Sequence, residues 1–302
     1  MRHKAPMPVK WYPLQDTVFS FNEMGRAELR HTESLKNFHR FIVQETDAGR
    51  IFRQEKVSMI PVTLLRPEPY ESVLDMCAAP GSKTIQILEY LHSDKKDKVK
   101  TKGFVVANDQ DSKRAAMLCH QAKRLNLPAL FVTSNDARKI PHLKVGEDRA
   151  NFKFDKILCD VPCSGDGTLR KNSAMWKMFH AHMGHQMHEL QKEILIRGLT
   201  LLKVGGRLVY STCSFNPIEN EAVVCAAIKH LGHSKVRLIN AKKEVSPELK
   251  CRPGLLRWKV YHKARGKYHP AEWYSSFDEV PEERRERCKE SMFHESYTLR
   301  NN

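Results

Sequence analysis

Between about residue 70 and residue 240, short apolar runs alternate with longer stretches of helical periodicity, the pattern of βα units built around a mostly parallel sheet. Few architectures other than a doubly wound α/β fold satisfy that alternation. The expected strands run from Ser72 to Cys77, Gly103 to Asn108, Leu130 to Ser134, Phe154 to Asp160 and Arg207 to Ser211. Each ends in polar residues. Open α/β sheets bind ligands beyond the carboxyl ends of their strands, so these end residues are expected to line one crevice.

Ahead of the sheet, Leu35 to Thr46 and Gln54 to Met59 read as helices, with Trp11-Tyr12-Pro13 as an aromatic anchor. Residues 1–66 are thus expected to form an N-terminal helical cap and 67–240 the sheet domain. After 240 the pattern fails: basic residues and prolines offer no clear final strand, and 241–302 read as a basic, incomplete segment. The run from Lys95 to Lys102 is too charged to pack and is expected to be a solvated loop.

Composition narrows the class. With 302 residues, 41% of them hydrophobic, the chain can bury a sizeable core. Lys and Arg number 51 against 35 acidic residues, a formal net charge of +16 that suits a partner with a phosphate backbone. Eight cysteines without CxxC pairs or dense spacing argue for reduced thiols inside a cell. No run approaches the length of a membrane span, and the basic N-terminus leads into prolines rather than an apolar signal core.

The first expected strand leads through Cys77-Ala78-Ala79-Pro80-Gly81-Ser82-Lys83 into an amphipathic helix. Small residues let a ligand approach the backbone, and free amides at a helix start favour a carboxylate or phosphate, so a cofactor is expected there. The plainer reading is a tight βα turn; the GxxxxGK[ST] spacing of a P-loop is missing. The second strand ends at Asp109, a carboxylate placed to receive ribose hydroxyls, with Asp111 as the N-cap of the next helix. Asp136, after the third strand, is a candidate contact to an adenine edge.

Two cysteines stand at strand ends: Cys163 in Asp160-Val161-Pro162-Cys163 and Cys213 in Ser211-Thr212-Cys213-Ser214. Amine methyltransferases usually carry Pro-Pro-Tyr or Pro-Pro-Phe at the first of these positions, so a Cys there points to carbon chemistry. An aromatic carbon such as C5 of cytosine is too weak a nucleophile to take a methyl group unaided; adding a thiolate at C6 makes it enamine-like. One cysteine would attack and the second would assist release, while Asp160 would hydrogen-bond N3 and N4 of the base. The plainer reading of a free Cys is a small core residue, which is preferred for Cys159 and Cys225. His180, His182, His185 and His188 could share a metal, but no Cys or carboxylate accompanies them at ligand spacing, and a basic solvated face is the simpler expectation.

On these residues the chain resembles the Nop2/Sun (RsmB/NOP) family of RNA cytosine-5 methyltransferases, most closely its tRNA branch. The resemblance runs from Trp11-Tyr12-Pro13 through Gln54 to Pro61, the Asp75 to Thr84 loop, His120 to Arg124, Asp160 to Thr168 and Ser211 to Ser214, to Trp258-Lys259-Val260. It implies a class I, Rossmann-like methyltransferase that forms 5-methylcytosine in RNA, most readily tRNA. S-adenosyl-L-methionine would bind from Cys77 to Lys83, with Asp109 on the ribose, Asp136 near adenine and Asp160 at the base. Cys213 would be the nucleophile, Cys163 would assist release, and Lys83 would help orient the cytosine or Asp160. The family's N-terminal RNA-contacting segment and its closing Gly-Gly-Phe-rich strand are not matched, so the expected sheet lacks its last strand. A monomer, acting in the nucleus, is expected. The competing expectation is a catalytically impaired RNA-binding protein that retains the fold.

Overall fold

The structure is a computed structural model that describes residues 6–14, 17–21, 32–93, 102–126, 128–180, 182–263 and 271–294. All of the charged run from Lys95 to Lys102 except Lys102 lies outside the described residues. The chain divides into two compact units, one made of Met1–Asn135, Phe154–Lys156 and Ala241–Lys250, the other of Asp136–Lys153, Ile157–Asn240 and Cys251–Asn302. The stretch from 241 onward is therefore shared between them.

Ahead of its sheet the first unit carries a short antiparallel pair, Met7–Pro8 with Phe19–Ser20, and the helices α1 (Glu33–Asp47) and α2 (Ile60–Leu65). Gln54 and Glu55, expected within a helix, lie outside one, Glu55 with extended backbone; only Lys56–Met59 coil, as a 3-10 turn that runs into α2. Pro61 explains the restart, because a proline is tolerated in the first turn of a helix, where its missing N–H has no intrahelical partner to lose. Of the aromatic anchor, Tyr12 is the buried member and packs edge-on to Tyr90, with ring centroids 6.1 Å apart.

The sheet strands of this unit are β1 (Ser72–Asp75), followed by α3 (Ser82–Leu91), then β2 (Phe104–Asn108), α4 (Ser112–Lys123), β3 (Leu130–Thr133) and the start of β4 (Phe154–Asp160). Their order is β3-β2-β1-β4. β1 pairs parallel with β2, Val73 opposite Val105, and β2 parallel with β3, Val106 opposite Phe131. β1 is buried along its whole length, as a parallel strand covered on both faces must be, whereas β3 at the edge leaves Phe131 exposed. Ser72 ties β1 to the start of β4: its amide and hydroxyl both donate to Asp155 Oδ2, at 2.9 and 2.6 Å.

In the second unit β4 is followed by α5 (His182–Leu201), β5 (Leu202–Ser211) and α6 (Glu221–Leu231), with β5 next to β4 in the sheet. β5 starts five residues before its expected beginning and runs through Gly205-Gly206. α5 and α6 pack through Leu195, Val223 and Ala227.

Where the sequence offered no clear strand, β6 (Val260–Lys263) and β7 (Ala271–Tyr274) form an antiparallel hairpin, Val260 opposite Tyr274. This hairpin is a sheet of its own, outside the five-stranded one. Around it Ile218, Val260, Tyr274, Val280, Cys288, Met292 and Phe293 build a separate apolar cluster, so residues 260–263 and 271–293 are packed rather than patternless. Apolar residues spaced by charged ones across non-periodic turns leave no helix or strand signature, which is why the cluster escapes a periodicity reading. Among the described residues, no helix is long and apolar enough to cross a membrane.

Candidate active site

The two units present separate groups of functional side chains. In the first, the β1–α3 loop is held by the ends of the neighbouring strands. Ala78 N–H donates to the Asn108 carbonyl at 2.8 Å and Ala79 N–H to Asp109 Oδ2 at 3.1 Å. Gly81 takes φ +107°, a conformation side chains rarely adopt, and serves as the N-cap of α3 without a capping side chain. Ala78, Ala79 and Gly81 are buried, Cys77, Ser82 and Lys83 are half-buried, and Pro80 is exposed.

Asp109 is buried, its Oδ1 accepting from Asp111 N–H at 3.1 Å and its Oδ2 from Ala79, with the Arg114 guanidinium 3.6 Å away. Asp111 caps α4 as expected, accepting from the amides of Lys113 and Arg114. Asn108 was not singled out by sequence reasoning, yet all its side-chain bonding capacity joins strand ends. Its Nδ2 donates to the carbonyls of Met76 and Asn135, and its Oδ1 accepts from Thr133 Oγ1 and Asn135 N–H.

In the second unit Asp160 ends β4 and accepts from Ser211 Oγ, at the end of β5, at 2.7 Å. The two loops that leave these strands carry Cys163 and Cys213. Their sulfurs are 3.0 Å apart, and Cys213 N–H donates to Cys163 Sγ at 3.3 Å. Cys213 is exposed and Cys163 half-buried. The hydrogen bond between the thiols acts on them in opposite senses: it holds Cys213 below the ordinary thiol range, at about 7, and together with burial it raises Cys163. Loss of one proton from this pair therefore leaves the thiolate on the exposed sulfur while the other stays a thiol.

Asp136 belongs to this unit, where it caps a 3-10 turn and its carboxylate is gripped by the Arg138 guanidinium, the shortest contact being 2.7 Å. Arg138 also reaches Glu193 at 3.1 Å. The Arg138 hydrogen bonds hold the Asp136 carboxyl below its usual range.

Residues 62–263 match the family described as 16S rRNA methyltransferase RsmB/F. The chain is 46% identical over 293 residues to the tRNA (cytosine(34)-C(5))-methyltransferase of Drosophila melanogaster, covering 96% of this chain and 38% of that protein. It is 48% identical over 262 residues to the multisite-specific tRNA:(cytosine-C(5))-methyltransferase of Saccharomyces cerevisiae, covering 85% and 37%. The crystal structure of NSun6 from Pyrococcus horikoshii with SFG superposes with a TM-score of 0.53 at 28% identity, over 62% of this chain and 44% of that one.

The chain belongs to the RsmB/F methyltransferase family. It spans about two fifths of the length of the curated relatives it matches. The class I, Rossmann-like α/β fold expected from the sequence is the fold observed.

The Pyrococcus horikoshii protein was solved with SFG, an S-adenosylmethionine analogue, and the residues of this RsmB/F chain fit such a molecule. The N-terminus of α3, which no side chain caps, presents the positive end of the helix and suits the carboxylate of the methionine portion. Asp109 receives one amide on each oxygen, and a carboxylate oxygen has two lone pairs, so each retains capacity for a ribose hydroxyl.

Of the four histidines expected on a solvated face, His180 is exposed and His182 half-buried, but His185 and His188 are not on it. His188 is fully buried, its ring nitrogens bonded to the Ile218 carbonyl at 2.7 Å and Ser291 Oγ at 2.8 Å; burial lowers its pKa. His185 is buried too, its ring against that of His182. Among the described residues no group of His, Cys, Asp or Glu is arranged to hold a metal ion.

Glu219 is the residue that sequence reasoning missed in this RsmB/F site. It is completely buried, and helix α6 begins two residues after it. Its one visible signal is its position six residues after Cys213.

Proposed function

We propose that this chain transfers a methyl group from S-adenosylmethionine to C5 of cytosine in RNA, with tRNA as the substrate. The observation that carries the reading is the contact of Cys163 and Cys213 at 3.0 Å, one half-buried and the other exposed, at the ends of adjacent strands. The identity to relatives named as tRNA cytosine methyltransferases supports the choice of RNA and of base.

In this reading the Cys213 thiolate bonds to C6 of cytosine, placing electron density on C5. Asp160, fixed by Ser211, contacts the N3 and N4 edge and delivers a proton to N3 as sulfur adds at C6, so the adduct is a neutral enamine. The bound cofactor supplies an electrophilic methyl group. Elimination then passes the C5 proton to solvent water and expels the Cys213 sulfur as thiolate, the N3 proton returning to Asp160. Cys163, still a thiol at this pH, donates a hydrogen bond to the departing sulfur and makes it a better leaving group. The exposure of Cys213 and the partial burial of Cys163 support this order of roles rather than its reverse.

Incubation with total RNA and a methyl-labelled cofactor, followed by nucleoside digestion, tests the proposal. Label in 5-methylcytidine from the tRNA fraction is the expected result. RNA binding without label in any pyrimidine would replace it with a non-catalytic RNA-binding role.

A further inference from the structure

The geometry points to Glu219 as the positioning residue that holds the Cys163 and Cys213 loops at thiol contact. The inference rests on the proposed role of the two cysteines. Glu219 is 0% exposed, and its carboxylate gathers donors from both cysteine loops and from α5. Ser164, next to Cys163, donates its amide to Oε2 at 2.8 Å and its hydroxyl to Oε1. Ser214, next to Cys213, donates its hydroxyl to Oε1 at 2.8 Å. Gln191 Nε2 donates to Oε2 at 3.0 Å and to the Pro162 carbonyl at 2.9 Å, so the same amide grips the residue before Cys163.

A buried carboxylate is costly unless its oxygens are saturated with donors, and here the donors come from three separate segments. Satisfying the charge therefore requires the two cysteine loops to converge. Glu219 itself is anchored through its backbone, its carbonyl accepting from Tyr210 Oη at 2.6 Å and the preceding Ile218 carbonyl from His188. His188 in turn reaches Ser291, which links this anchor to the C-terminal cluster. The clamp is rigid on the side away from the thiols.

A glutamine at this position keeps the shape but places an NH2 group against donors. With its oxygen turned to the Ser164 amide and Gln191, the NH2 faces the Ser164 and Ser214 hydroxyls, which must both reverse to accept, and the charge that draws the two loops together is gone. The consequence is read at Cys213, whose ionisation depends on its distance from Cys163. The charged groups acting on Cys213 are Asp160, which opposes ionisation, and Lys171, which favours it; Cys163 is the remaining titratable neighbour. Glu219 acts only through the loops.

The test is the pH dependence of Cys213 alkylation by iodoacetamide, followed by mass spectrometry on the RNA-free protein. In Glu219→Gln the midpoint is expected to rise by about one unit or more, toward the ordinary thiol value of about 8.5. Methyl transfer should fall in kcat by about a hundredfold, the scale expected for a 1 Å misplacement, with the KM for S-adenosylmethionine unchanged. Ser164→Ala combined with Ser214→Ala removes two donors while keeping the buried charge, and should raise the midpoint in the same direction. Circular dichroism decides which variant is read: if Glu219→Gln does not fold, the double serine variant decides. A wild-type midpoint in the folded variant overturns the inference. Because the titration needs no RNA, a shifted midpoint in a chain that never methylates RNA would sustain the clamp and defeat the proposed function, and the opposite pair of results would do the reverse.

Discussion

Gly167 donates its amide to the Cys213 carbonyl at 2.9 Å, and a Cβ added at Gly167 would stand 2.6 Å from that same oxygen. The loop after β4 thus lies directly against the backbone of the residue proposed as nucleophile, and only a residue without a side chain allows it. The opposed atom is backbone and has no rotamer by which to retreat. Gly167→Ala is expected to push Cys213 out of place, lowering stability by about 1–3 kcal/mol. Covalent capture of RNA should fall further than stability does. Thermal melting alongside an adduct assay checks this; unchanged adduct formation would mean that the Gly167 contact does not set the position of Cys213.

The two thiols give opposite expectations. Cys213→Ala should abolish methylation and leave S-adenosylmethionine binding nearly intact, since the binding loop belongs to other residues. Cys163→Ala should still add to C6 but release slowly, leaving protein attached to RNA on a denaturing gel. An attached species with Cys213→Ala would reverse the two roles.

Cys213 ionises near 7 because Cys163 donates to it, so its reactivity has a defined pH dependence. The thiolate is the reactive form, and its fraction rises with pH through the pKa. Alkylation of wild-type Cys213 should therefore climb from acid pH, reach half its limit near 7 and level off above, whereas Cys163→Ala should shift the curve upward. A wild-type curve still rising steeply where ordinary thiols titrate would contradict the hydrogen-bond account.

Asp109 is proposed to receive the ribose of the cofactor. Asp109→Asn keeps the shape but removes the charge and one acceptor, and should weaken S-adenosylmethionine by about 1.5–3 kcal/mol, the worth of a hydrogen bond to a charged group. Calorimetry showing unchanged affinity would move the ribose site elsewhere.

RNA affinity should fall steeply as salt is raised, because a chain of net charge +16 that neutralises phosphates releases counterions. A flat profile would show that the basic surface is not where RNA lies.

The sequence by itself determined the elements whose signals are local. The first four sheet strands lie within two residues of their expected bounds, because each is a short apolar run ended by polar residues and needs no distant partner to be recognised. Asp111 as a helix cap was legible for the same reason, and so were Cys163 and Cys213 as thiols at strand ends. The tertiary structure alone decided how those thiols meet. They lie fifty residues apart, and their 3.0 Å separation is set by β4, β5 and a carboxylate contributed from a third place. Glu219 and His188 look like solvent residues in the sequence, because an acidic or basic side chain is costly to bury until its partners are known. Those partners, Ser164, Ser214 and Gln191 for one and Ile218 and Ser291 for the other, come together only in the folded chain. The cluster around β6 and β7 was hidden for a related reason: its apolar residues follow no helix or strand period, and only their packing in space makes them a core.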